Sequence, residues 1–198
     1  SGGIWSITPT TTPTIIGAVT TATVTGVSPG TATVTYALGL GCSTSAVVTV
    51  NPMPGPITPT SPVVCVGNTV ALADPTSPGG TWNPTSGINA NIGAITGVVT
   101  GVSSGLQVFT YTATTGCIRT TTVNVNPLPL PISGAPSVCA GSTIGLSDGS
   151  LGGTWTSLNI PIATIVSTSG VLTGVAPGTA TIKYQLPTGC AIATVVSV

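Results

Sequence analysis

Residues 24–36 read VTGVSPGTATVTY, and the same string returns as VTGVSSGLQVFTY at 99–111 and as LTGVAPGTATIKY at 172–184. Within TATVTY (31–36) threonines alternate with Ala32, Val34 and Tyr36. That period of two is the signature of an antiparallel strand with one buried face. A second alternating strand ends each copy, with Val48 and Val50, Val123 and Val125, and Val196 and Val198 on its inward parity. Thr and Val suit a pleated surface because their branched Cβ packs against neighbouring strands. SPG (28–30) and APG (176–178) supply the turn between strands. No stretch carries a 3.6-residue period. Short strands with turn signals every 8–12 residues indicate an all-β sandwich.

Outward from that string, the chain is one unit written almost three times. GGIW (2–5) recurs as GGTW (79–82) and GGTW (152–155), and Gly-Cys pairs end at Cys42, Cys117 and Cys190, offsets of 75 and 73 residues. NPMP (51–54) and NPLP (126–129) mark the joins, and CVG (65–67) pairs with CAG (139–141). The expected organisation is a partial repeat over 1–50, lacking the NPxP and CxG stretch, and full repeats over 51–125 and 126–198. The chain is expected to be a window on a longer array. Its proline-dense joins, NPMPGPITPTSP (51–62) and NPLPLPISGAPS (126–137), read as semi-rigid extended linkers.

Among 198 residues only Asp74, Asp148, Arg119 and Lys183 are formally charged, and there is no His. One Lys and one Arg cannot neutralise a row of phosphates, which excludes nucleic-acid binding. General acid–base catalysis needs a His or a tuned carboxylate pair, and a zinc site needs His or clustered thiolates. Neither set is present, so no enzyme activity, metal or cofactor is expected. Mean hydropathy is high at +0.62. Yet Thr, Ser, Gly or Pro interrupts every apolar run long before the 20 residues of a spanning helix, so membrane insertion is not expected.

The third copy, from GGTW through IATIVSTSGVLTGVAPGTATIKY to ATVVSV, resembles bacterial immunoglobulin-like domains of the group-2 type. With its NPxP joins and CxG…GC cysteines, the whole chain also resembles tandem repeats on secreted and cell-surface proteins of Bacteroidota-type bacteria. The resemblance implies tandem immunoglobulin-like β-sandwiches of about 73–75 residues each. It implies no particular activity. Residues 83–97 (NPTSGINANIGAITG) depart from the pattern and leave the middle strands of the second copy less defined.

The five cysteines fall at equivalent places, early in a unit (Cys65, Cys139) and late in it (Cys42, Cys117, Cys190). They allow within-unit pairs, Cys65–Cys117 and Cys139–Cys190, with Cys42 left to a residue outside the chain. They equally allow neighbour pairs, Cys42–Cys65 and Cys117–Cys139, with Cys190 left over. Parity does not separate the two. The resemblance implies the within-unit pairs, each closing a loop of about 50 residues and contributing roughly 4 kcal/mol. Disulfides place the chain outside the cytoplasm, at the cell surface or beyond.

A surface of 39 Thr, 19 Ser and 27 Gly with four cancelling charges cannot repel a copy of itself, and one Lys cannot guard every edge strand. The exterior is therefore expected to be covered, by further copies, by O-glycans, or by both. No Asn-x-Ser/Thr acceptor occurs, since Pro84 blocks Asn83-Pro84-Thr85. The Pro-interleaved tracts offer Thr8, Thr10, Thr11, Thr12, Thr14, Thr58, Thr60 and Ser61 as O-glycan acceptors.

Trp5, Trp82 and Trp155 read as core residues rather than a sugar-stacking ladder, as do Tyr36, Tyr111 and Tyr184. Asp74 and Asp148 read as turn or cap residues, one carboxylate per unit being too few for calcium. Arg119 and Lys183 read as solvated. The function expected is the non-catalytic shaft of an extracellular bacterial fibre or long adhesin. The alternatives are a polysaccharide-binding surface module and the spacer of a secreted enzyme.

Overall fold

The computed structural model describes residues 2–198, the side chains of Leu40 and Ser86 excepted. The first copy forms β1 (Ile4–Thr8), β2 (Pro13–Gly17), β3 (Ala22–Gly26), β4 (Gly30–Ala37) and β5 (Ser43–Val50). The second forms β6 (Val63–Cys65), β7 (Thr69–Ala71), β8 (Thr81–Ser86), β9 (Ala90–Ile92), β10 (Val98–Gly101), β11 (Gly105–Thr112) and β12 (Ile118–Asn126). The third forms β13 (Thr143–Gly145), β14 (Thr154–Ser157), β15 (Ala163–Ile165), β16 (Val171–Gly174), β17 (Thr179–Gln185) and β18 (Ala191–Ser197). The chain is all-β, with only a single 3-10 turn at Gly39–Gly41 among the described residues.

The third copy shows how its sequence becomes a sandwich. One sheet runs β14-β17-β18 and the other β13-β16-β15, all antiparallel. On β17 the alternation buries Ala180, Ile182 and Tyr184 and turns Thr179 to solvent. Those side chains meet Leu172 from β16, Ala163 from β15, Trp155 from β14 and Val196 from β18 in one core. The second copy repeats the plan with sheets β6-β12-β11-β8 and β7-β10-β9. Its Leu72, Trp82, Val99, Phe109, Val123 and Val125 are buried. These two full copies are immunoglobulin-like β-sandwiches.

Packing groups the chain into two compact units, and their limits cut across the second copy. The first takes Ser1–Pro56 with Asp74–Thr81 and Tyr111–Arg119; the second takes Ile57–Ala73, Trp82–Thr110 and Thr120–Val198. Two short stretches of the second copy fall with the first unit because they bond the NPMPGP join. Arg119 Nη1 donates to Pro54 O at 2.6 Å, and Gly55 N donates to Thr76 Oγ1 at 2.8 Å.

The first unit holds sheet β1-β4-β5 and hairpin β2-β3 around Ile7, Ala32 and Val34. Its core is thin because, among the described residues, the first copy has no counterparts of β6 and β7. Trp5, Val24 and Val48 are only half-buried against it.

Disulfide pairing differs from the expected within-unit scheme. The structure bonds Cys65 to Cys190, 125 residues apart with Cα atoms at 5.6 Å, and leaves Cys42, Cys117 and Cys139 as thiols. Neither Cys65–Cys117 nor Cys139–Cys190 forms, and the neighbour pairs do not form either. Strand geometry is the reason. β6 runs parallel to β12 and places Cys65 opposite Asn126, the last residue of β12, whereas Cys117 precedes its first residue. A strand of that length separates the two by more than 20 Å at about 3.3 Å per residue, and a disulfide needs Cα atoms within about 7 Å. In the third copy Ser137 bridges Ser197 at the end of β18, while Cys190 precedes its start. Early and late cysteines of one repeat therefore sit at opposite ends of the same strand.

Candidate functional site

The features that recur between copies gather at two places, the Gly-Gly-x-Trp corner and the join. At the corner, the tyrosine from the central strand reaches back to the second glycine. Gly153 N donates to Tyr184 Oη at 3.0 Å, and that hydroxyl donates to Ser150 O at 2.6 Å. Gly3 N and Tyr36 Oη (2.7 Å), with Val19 O accepting at 2.8 Å, repeat the arrangement in the first copy. Gly80 N bonds Tyr111 Oη at 2.9 Å in the second, with Ser77 O as acceptor. A Cβ on Gly153 would lie 2.4 Å from Tyr184 Cζ, so only glycine lets the ring close over the backbone. The tryptophan stacks beside it, with ring centroids 4.7 Å apart for Trp155–Tyr184 and 4.6 Å for Trp5–Tyr36.

Two of the three tryptophans are structural, and Trp5 is half-buried. Trp82 and Trp155 are 3% and 6% exposed, too little to offer a face to a sugar. A groove of about 520 Å³ does open beside the third-copy corner, lined by Asp148, Ser150, Leu151 and Thr168 among others, but the indole there is shut away. Tyr184→Phe deletes two hydrogen bonds and leaves the Gly153 amide without its acceptor. A loss of about 1–2 kcal/mol is expected in urea denaturation, with the folded-state spectrum unchanged.

At the join, each aspartate does what a turn residue does and something more. Asp74 Oδ1 accepts from Thr76 N at 2.8 Å, Thr76 Oγ1 at 2.7 Å and Ser77 N at 3.1 Å. Thr76 Oγ1 in turn accepts from Gly55 N in the NPMPGP segment. The third copy repeats the latch: Asp148 Oδ1 takes Ser150 N at 2.7 Å, and Ser150 Oγ takes Leu130 N at 2.9 Å. Among the described residues no group of three or more His, Cys, Asp or Glu is gathered. Arg119, which its sequence context left solvated, binds the join through Pro54 O, and Lys183 Nζ donates to Gln185 Oε1 at 2.9 Å.

Burial works to raise the Asp74 pKa, but the Thr76 hydroxyl and the Thr76, Ser77 and Gly55 amides outweigh it and hold the carboxyl below its ordinary value. A carboxylate lowered in the folded state adds stability that is complete above its unfolded pKa and is lost as pH falls through its folded one. Urea midpoints are therefore expected to drop on acidification below about pH 4, and Asp74→Asn to remove part of that drop. An unchanged acid limb in the Asn variant would show that Asp74 is not linked to folding.

The cysteines complete the join. Asn126 O accepts from Val66 N at 3.0 Å and lies 3.9 Å from Cys190 Sγ, so Cys65 and Cys190 meet at the first residue of the NPLP motif. Cys117 Sγ lies at the same 3.9 Å from Asn51 O, the first residue of NPMP. The recurrence of Asn and Cys was visible in the sequence; their meeting was not.

Of the suggested glycan acceptors, Thr8, Thr10, Thr11, Thr14, Thr58, Thr60 and Ser61 are exposed. Thr12 is a correction. It is 7% exposed, its carbonyl takes Val27 N and Ser28 N, and its side chain sits over the space a Gly30 side chain would fill. Its hydroxyl is not presented to a glycosyltransferase.

No family model matches the sequence, and no curated protein matches it. The group-2 resemblance therefore rests on the quoted motifs alone. Among solved structures, the chain is similar to the C-terminal 282-residue fragment of intimin in complex with the translocated intimin receptor's intimin-binding domain. There the identity is 18% and the TM-score 0.41 over 68% of this chain and 60% of that one. Domains 4–9 of the surface layer protein SbsC are 18% identical at TM-score 0.29, covering 100% of this chain and 39% of that one. Protocadherin gamma B2 extracellular cadherin domains 3–6 are 7% identical at TM-score 0.34, covering 98% and 67%. The chain thus spans 60% of the intimin fragment and 39% of the SbsC one. Among the described residues no helix is long and apolar enough to cross a membrane.

Proposed function

We propose that this chain is a run of immunoglobulin-like repeats of the group-2 bacterial type, divided at 1–50, 51–125 and 126–198. It forms the non-catalytic shaft of an extracellular bacterial fibre or long surface adhesin. Its partners are further copies of the same repeat, with O-glycans on the exposed threonines of the Pro-rich tracts as a second covering. The observation that supports this reading most is the join, where a disulfide ties the early strand of one repeat to the late turn of the next. A staple placed there resists separation of successive repeats, which is what a load-bearing shaft requires. The surface is consistent with it: Val47, Val195, Leu106 and Ile88 are 71%, 58%, 64% and 86% exposed on a chain with almost no charge to keep copies apart. Negative-stain microscopy of material taken from its source tests the proposal. Filaments of uniform width are expected; monodisperse, unmodified single particles at high concentration would overturn it.

A further inference from the structure

The bond between Cys65 and Cys190 has two halves, and the chain holds one half again without its mate. In the complete site, β6 lies parallel to the end of β12, with Val63, Val64 and Cys65 opposite Asn124, Val125 and Asn126. Cys190 then approaches Asn126 O and closes the disulfide. One repeat earlier, the equivalents of Asn124–Asn126 are Thr49, Val50 and Asn51, and the equivalent of Cys190 is Cys117. Cys117 keeps the same 3.9 Å contact, to Asn51 O, and is a half-buried thiol. Among the described residues β5 pairs only with β4, so its outer edge is open. Val48 and Val50 are half-buried where Val123 and Val125 are 0% and 1% exposed.

We infer that the outer edge of β5 with Cys117 is an acceptor site for the early strand of a repeat, of the Val-Cys-x-Gly type. The strand adds in parallel beside Thr49–Asn51, extending the sheet by β-augmentation, and its cysteine forms a disulfide with Cys117. This deepens the shaft reading on which it rests: every join becomes a staple from the early cysteine of one repeat to the late cysteine of the next. In forming the bond the two thiols release two protons and pass two electrons to an oxidised thiol–disulfide exchange protein, whose disulfide becomes two thiols.

The test is a peptide of residues 61–72, SPVVCVGNTVAL, carrying its cysteine as a 2-thiopyridyl mixed disulfide and added to the oxidised full chain. The Cys117 thiolate attacks the peptide sulfur, the new S–S bond forms, and thiopyridone leaves with the electron pair of the broken one. Peptide mapping by mass spectrometry reads the rate at each thiol, normalised to its rate with a small aromatic disulfide. Cys42 and Cys139 are the more exposed thiols, so accessibility alone favours them. The site instead requires coupling at Cys117 at least about tenfold faster than at either, from the raised local concentration of a docked strand. A scrambled peptide should lose that preference. Normalised rates that follow exposure, a scrambled peptide that couples equally, or no coupling at Cys117 would each overturn the inference. Filament formation is read separately, so failure here leaves the shaft proposal standing.

Discussion

Replacing Cys65 and Cys190 together with alanine is expected to lower stability by as much as about 5 kcal/mol, the chain-entropy value for closing a loop of roughly 125 residues. The form of the loss matters as much as its size. The bond joins the second copy, in which Leu72, Val99, Phe109 and Val123 are buried, to the core of the third, so it couples their unfolding. Scanning calorimetry of the oxidised chain should show the second and third repeats melting together. The double variant, or the native chain with dithiothreitol, should resolve two transitions, both at lower temperature. A melting profile indifferent to reductant would mean that this bond carries none of the stability. Single variants are less informative, because each leaves an unpaired thiol that is itself open to exchange.

Phe109→Ala is expected to cost about 3–5 kcal/mol, the range for removing a fully buried aromatic ring. Phe109 is the chain's one phenylalanine, is 0% exposed, and alternates with Gln107 and Tyr111 on the inward face of β11. A sandwich of about 75 residues has total stability of only about 5–15 kcal/mol, so the variant sits near the threshold of folding. Phe109→Leu keeps most of the volume and should cost under about 2 kcal/mol, which separates cavity formation from loss of the fold. The control is Val47→Thr on the exposed face of β5, expected within about 0.5 kcal/mol. Comparable urea midpoints for the Phe109 and Val47 variants would contradict the placement of β11 at the centre of its sheet.

The alternation in TATVTY and TATIKY made the central strands legible, because a period of two can bury only one set of side chains. Ala180, Ile182 and Tyr184 lie where that parity puts them. The departure at 83–97 was less readable because its strands are held by a side chain rather than by pattern. Gln107, fully buried, accepts from Asn89 N at 3.1 Å and Ala90 N at 3.4 Å and so supplies what sheet pairing does not. The roles of Arg119 and of the second glycine in each Gly-Gly-Trp were also hidden. Arg119 finds its acceptor 65 residues away, and Gly153 meets its tyrosine 31 residues on. Co-recurrence of Gly-Gly and Tyr was the one signal that could have disclosed the second of these.

From residue order alone came the repeat, its period, the all-β character and the scarcity of charge, since each is carried by local pattern or by composition. Which cysteines meet was decided only in three dimensions. Equivalent spacing along the chain says nothing about the two ends of a strand. The parallel addition of β6 to β12 carries Cys65 away from Cys117 and brings it to Asn126, where the turn before β18 delivers Cys190.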